Sequence, residues 1–139
     1  LEVRILPQNR DGILAIATEL HKFAAINGPI DAVHIVSHGS PGQLQLGTAT
    51  LNSQTLKQYE TLLQYWKYLL SEDADLLIYG CNVAAANGES FIKQLSELTG
   101  ANVAASADLT GNTAQGGNWN LEVSTGKIKA PLALKPEVM

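Results

Sequence analysis

Two short apolar runs in this chain end in the same way. Ala32-Val33-His34-Ile35-Val36 stops on Ser37-His38-Gly39, and Leu76-Leu77-Ile78-Tyr79 stops on Gly80-Cys81-Asn82. Apolar runs of this length, bounded by polar and glycine signals, predict strands buried on both faces. Helical spacing surrounds them. Ile13, Leu14, Ile16, Ala17, Leu20, Phe23 and Ala24 predict a helix capped by Asp11 and stopped at Asn27-Gly28-Pro29. Leu56, Tyr59, Leu62, Leu63, Trp66, Leu69 and Leu70 predict a second, capped by Asn52 or Ser53. Phe91, Ile92, Leu95 and Leu98 predict a third, closed by Gly100.

Smaller elements fill the gaps. Residues 3–6 predict a short strand before Pro7. Leu44-Gln45-Leu46 and Thr48-Ala49-Thr50-Leu51 alternate about Gly47 and predict a hairpin. Residues 102–105 predict another strand. Residues 119–123 and 127–129 predict two more about the Thr125-Gly126 turn. Pro131 and Pro136 mark residues 131–139 as a linker, which leaves a single domain over residues 1–130.

Strands alternating with helices imply βαβ units and right-handed crossovers. The expected fold is α/β: a three-layer sandwich, its mostly parallel sheet flanked by helices on both faces, with small β-hairpins added. Composition agrees with a folded core, at 45% hydrophobic and 16% charged residues. The net charge of -4 carries no basic footprint, so nucleic acid is not an expected partner. No apolar run reaches the ~18 residues of a membrane span, so membrane insertion is not expected. One cysteine gives no internal disulfide framework.

In open parallel sheets ligands bind outside the carboxyl ends of the strands. His38 and Cys81 both fall at such ends. Neighbouring strands lie about 4.8 Å apart, so adjacent ends bring imidazole and thiol within reach of one another. A thiolate is a nucleophile, and an imidazole can take its proton and return it to a leaving group. Gly39 and Gly80 leave room for a substrate backbone, and the N–H groups of Gly39 and Cys81 are candidate oxyanion donors. The plain alternative is that Cys81 packs as a small hydrophobe. His34 lies about 13 Å along the strand from His38, too far to share a metal, and reads as a core histidine. His21 falls on the polar side of the first helix. The Gly39-Ser40-Pro41-Gly42 loop leads into a hairpin and lacks the helix N-terminus that a phosphate cradle uses. Asp73 and Asp75 stand at a strand start, on the face expected to lie away from Cys81.

An apolar block ending at His38-Gly39, followed by one ending at Cys81, resembles the caspase-like cysteine peptidases. The separation is near the ~50 residues of the caspase pattern, without its Gln-Ala-Cys signature. More of the chain resembles the DUF4347 family. The matching segments are residues 34–42, 44–47, 77–81 and 103–106, together with Gly116-Gly117-Asn118-Trp119-Asn120-Leu121-Glu122. Members of that family usually sit near the N-terminus of very large bacterial surface or secreted proteins, often ahead of adhesion repeats.

The resemblance implies Cys81 as nucleophile, His38 as general acid/base, and an oxyanion hole from the N–H groups of Gly39 and Cys81. It places Ser106 and Asp108 at the substrate pocket, where an acidic Asp108 favours a basic residue before the scissile bond. It also implies a first core strand upstream of Leu1. Asn82 and Asn118 stand where many relatives carry Asp. No cofactor is expected; calcium activation occurs among caspase-like peptidases, but no ligand cluster is visible in this sequence. The expected partner is a peptide or protein substrate, including the parent chain itself through autoproteolysis, in a secreted or cell-surface setting. The alternative is a non-catalytic adhesion or interaction module that keeps the same fold. A third reading is an acyltransferase or other thiol hydrolase using the same dyad.

Overall fold

The structure, a computed structural model, describes residues 2–86, 88–107, 121 and 123–130. It opens with helix α1 (Gly12–Asn27) and strand β1 (Ile30–Val36). A small excursion follows: β2 (Gly39–Ser40), β3 (Gln43–Leu46) and β4 (Ala49–Asn52). Helix α2 (Glu60–Leu69) leads into β5 (Leu70–Tyr79). Then come α3 (Gly88–Thr99), β6 (Asn102–Ala105) and β7 (Val123–Ser124). The strands form a four-stranded sheet in the order β1-β5-β6-β7 and a three-stranded sheet in the order β2-β3-β4. β1, β5 and β6 run parallel, β7 pairs antiparallel at the edge, and the small sheet is antiparallel throughout.

Local chemistry explains the helix ends. Asp11 accepts hydrogen bonds from the N–H groups of Ile13 at 2.9 Å and Leu14 at 3.3 Å, two of the donors a helix start leaves open. α1 ends at Gly28, whose φ of 82° suits glycine and whose N–H reaches the Ala24 carbonyl at 2.8 Å. Gly100, at φ 73°, closes α3 in the same way on Ser96.

The start of α2 differs from expectation. Asn52 Oδ1 accepts from the N–H groups of Gln54 and Thr55, so it caps a separate turn, and regular helix begins at Glu60. Asn and Asp side chains compete in this way with helix continuation. β5 also begins earlier than the apolar pattern suggests. Its first residues carry Glu72 and Asp73, and Asp73 sits at φ 65° where the register with β1 shifts. Residues 3–6 form no strand. They have no ladder partner among the described residues, and Val3 and Ile5 are 70% and 96% exposed. Residues 127–129 are likewise not a strand, whereas Val123–Ser124 is. The expected strand residues 119, 120 and 122, the residues from Gly116 to Asn118, and the linker over residues 131–139 lie outside the described residues.

The main hydrophobic cluster lies on one face of the sheet. Ile13, Ile16 and Leu20 of α1, Leu63 and Trp66 of α2, and Phe91, Ile92 and Leu95 of α3 form one cluster with the sheet. The central strand positions in that cluster are Ile35, Leu76, Ile78, Val103 and Ala105, which the register places on one face. The other face carries His34 and Val36, Asp75, Leu77 and Tyr79, and Ala104, of which Asp75, Leu77, Tyr79 and Ala104 are also buried. The expected second helical layer is not found among the described residues. The cause is direction: β1 to β5 to β6 is two steps the same way across the sheet. Crossovers of one hand then set α2 and α3 on the same side.

Candidate functional site

β1 and β5 end in register. Val36 pairs with Tyr79, and the Ser37 N–H donates to the Tyr79 carbonyl at 3.2 Å. Ser37 and Gly80 are therefore the first residues beyond two adjacent parallel strands, and His38 and Cys81 follow them. His38 is exposed and Cys81 is half-buried. The two chains touch just past the histidine. A Cβ on Gly39 would lie 2.9 Å from the Cys81 carbonyl oxygen and 2.5 Å from Val83 Cγ2. One on Gly80 would lie 3.0 Å from Val83 Cγ2 and 3.2 Å from the Ser37 carbonyl oxygen. Beyond the room for a substrate backbone expected of them, these glycines let one backbone segment approach the other.

The segment after Cys81 is pinned from both sides. The Gly42 N–H donates to the Val83 carbonyl at 3.0 Å, and the Ala84 N–H to the Ser106 carbonyl at 2.9 Å. Asn82 takes φ 57°, a left-handed conformation that Asn tolerates better than most residues. Val83 and Ala84 are buried beneath the turn. The ends of β1, β5 and β6 thus converge on one loop. Val83 was not singled out in the sequence, although it is the one β-branched residue in the small-residue stretch between Cys81 and Gly88.

The small sheet sets the backbone at His38. The Gln45 N–H donates to the His38 carbonyl at 2.9 Å. Bonded and non-bonded pairs alternate along an antiparallel ladder. The Gly39–Leu44 pair is therefore the non-bonded kind, and the Gly39 N–H points away from β3. An open depression of about 140 Å³ lies beside His38, lined by Gly39, Ser40, Gln43 and Gln45.

Ser106 is fully buried at the end of β6, where its carbonyl holds Ala84. Asp108 lies outside the described residues. A larger cavity of about 270 Å³, lined by Asp31, Ser71, Glu72, Asp73, Asp75 and Lys129, opens at the opposite end of the sheet. Asp75 sits there, buried and at the far end of β5 from Cys81, a separation along the strand and not simply between faces. Among the described residues, no group of three His, Cys, Asp or Glu side chains gathers to hold a metal ion. None of the described helices is long and apolar enough to cross a membrane.

The other histidines are engaged away from the candidate dyad. His21 Nδ1 lies 2.6 Å from the Tyr65 hydroxyl and joins α1 to α2. His34 Nδ1 lies 3.1 Å from the Tyr79 hydroxyl, with the rings stacked. Burial lowers the pKa of His34 below 6.5, and the Asp75 carboxylate opposes this less strongly. A lowered folded-state value means the unfolded chain binds the extra proton first. Stability then rises with pH through the window below 6.5 and is lost as pH falls from there toward the folded value. His34→Gln should flatten the pH dependence of the urea midpoint in the window below about pH 6.5. Equal slopes for the variant and the original protein would remove His34 as the source.

These features define an α/β domain with a parallel core whose neighbouring strand ends carry a histidine and a cysteine. The chain belongs to the DUF4347 family, a domain of unknown function whose family model matches residues 1–139. No curated protein and no solved structure gives a match.

Proposed function

We propose that this domain is a cysteine endopeptidase of caspase-like character, acting within a secreted or surface protein and cleaving a peptide segment of its own parent chain. The observation that carries this reading is the side-by-side ending of β1 and β5, with the backbone at Gly39 against the Cys81 carbonyl. His38 takes the thiol proton as Cys81 Sγ attacks the peptide carbonyl carbon. The oxyanion that forms is met by the N–H of Gly39, which the ladder leaves pointing away from β3, and by that of Cys81. His38 then returns the proton to the leaving amine, and a thioester remains. A water molecule, deprotonated by His38, attacks the thioester and releases the carboxylate and the thiol. Ser106 is fully buried, so of the two pocket residues the resemblance names, Asp108 alone stays a candidate for substrate contact in this reading.

The test is incubation of the intact purified protein, alone and with a peptide library, followed by mass spectrometry. Cys81→Ala and His38→Ala should each lower cleavage by at least about a hundredfold. Cleavage that continues unchanged in both variants overturns the dyad. A folded protein that cleaves neither itself nor any peptide leaves the adhesion-module reading in its place. Turnover of small esters without peptides points instead to a thiol hydrolase of another class.

A further inference from the structure

His38 has no side chain in the sequence that obviously orients it, yet its backbone is held in an unusual way. In a regular antiparallel ladder a bonded pair exchanges two hydrogen bonds. Gln45 gives its N–H to the His38 carbonyl, so the regular return bond would run from the His38 N–H to the Gln45 carbonyl. The Ser37 hydroxyl donates to that Gln45 carbonyl instead. Gln45 is itself fixed: its side-chain amide donates to the Gly47 carbonyl at 2.8 Å and accepts from the Thr50 hydroxyl at 2.8 Å. The Ser37 N–H is committed to Tyr79 on β5. One serine, the first residue beyond β1, therefore ties the end of that strand to both sheets at once, immediately before His38.

We propose that Ser37 is a positioning residue for His38: its hydroxyl occupies the ladder position the His38 N–H would take, and so turns the His38 peptide and imidazole out toward Cys81. This inference rests on the dyad reading given above. Without the hydroxyl, the Gln45 carbonyl is open to the His38 N–H. Closing that bond rotates the peptide into the ladder and swings the imidazole away. Thr keeps the hydroxyl, whereas Val keeps nearly the same shape without it.

The experiment follows Cys81 alkylation by iodoacetamide across pH in the original protein and in Ser37→Thr, Ser37→Val and His38→Ala. His38→Ala and Ser37→Val should both slow alkylation at neutral pH by about tenfold or more and share one pH profile. Ser37→Thr should stay within about twofold of the original protein. An unchanged Ser37→Val beside a slowed His38→Ala overturns the role of Ser37 and leaves the dyad standing. An unchanged His38→Ala overturns the dyad, and the inference with it. Amide hydrogen exchange on the unmutated protein decides the matter if Ser37→Val does not fold. The Gln45 amide should then be protected and the His38 amide should exchange about tenfold faster or more. Equal protection of the two overturns the proposal.

Discussion

Gly88→Ala is expected to destabilise the domain by about 3 kcal/mol, with the sign opposite to the usual effect of this substitution in a helix. Replacing a helical glycine by alanine ordinarily stabilises by roughly 1 kcal/mol, because it removes backbone entropy from the unfolded chain. Gly88 begins α3, and a Cβ there would lie 1.9 Å from the Val83 carbonyl oxygen and 3.2 Å from the Gly42 N. The atoms in the way are backbone, and that carbonyl already accepts the Gly42 N–H. Relief would require moving the loop after Cys81 or parting it from the β2–β3 turn. Stability and site geometry are therefore coupled at this residue. Gly28→Ala supplies the contrast. Its Cβ would meet nothing within 4 Å, so only the backbone conformation, φ 82° and ψ -166°, opposes it, at about 1–3 kcal/mol. Urea titrations of the two variants give the comparison. If Gly88→Ala unfolds no earlier than Gly28→Ala, the packing of the loop on α3 is not as described.

How far such contacts could be read from the sequence depends on the range of the forces involved. Asp11, Gly28 and Gly100 act within one helical turn, and each stands where local chemistry puts it. The apolar runs ending at His38 and Cys81 marked two parallel strands because burial on both faces imposes its own composition. Their adjacency followed from topology, since a right-handed crossover carries β1 to a neighbour. Elsewhere a local signal was overruled by a partner many residues away. Residues 3–6 have strand composition, but a strand needs a ladder, and none of the described residues supplies one. Asn52 has the chemistry of a helix cap and uses it on a tighter turn. Strand composition was also absent where a strand formed: Glu72 and Asp73 belong to β5 because pairing with β1 extends that far. Within the candidate site the placing of His38 and Cys81 at the ends of adjacent strands was legible, but their scaffold was not. Val83, Ser37 and Gln45 have unremarkable neighbours in sequence, and their roles appear only when three strand ends meet.

Asp75 shows the same limit at the other end of the sheet, and it carries the second large effect. The side chain is buried, which alone would push its pKa up. Backbone N–H groups of Ala130 and Lys129, the Asn102 amide and the Lys129 charge outweigh that and hold the carboxyl below its ordinary 3.8. Both backbone bonds, at 2.8 Å each, reach the same oxygen, Oδ2. They fasten residues 129–130 to the start of β5, beside the Lys129 Nζ bond to the Asp73 carbonyl. Asp75→Ala removes a charged acceptor from two N–H donors, worth about 1.5–3 kcal/mol each, and regains part of the cost of burying a carboxylate. The expected net loss is about 3 kcal/mol. Asp75→Asn should lose only about 1 kcal/mol, because one amide oxygen can accept both bonds. The charged form also makes a pH signature. Its contribution is complete above the unfolded value near 3.8 and is lost as pH falls through the lower folded value. Acid titration of Asp75→Asn should therefore show a shallower fall in stability below about pH 4 than the original protein. Hydrogen exchange localises the effect, with the Lys129 and Ala130 amides losing protection in Asp75→Ala. If those amides stay protected in Asp75→Ala, the carboxylate is not what holds this segment against the sheet; if Asn is as damaging as Ala, the charge and not the acceptor oxygen alone carries the effect.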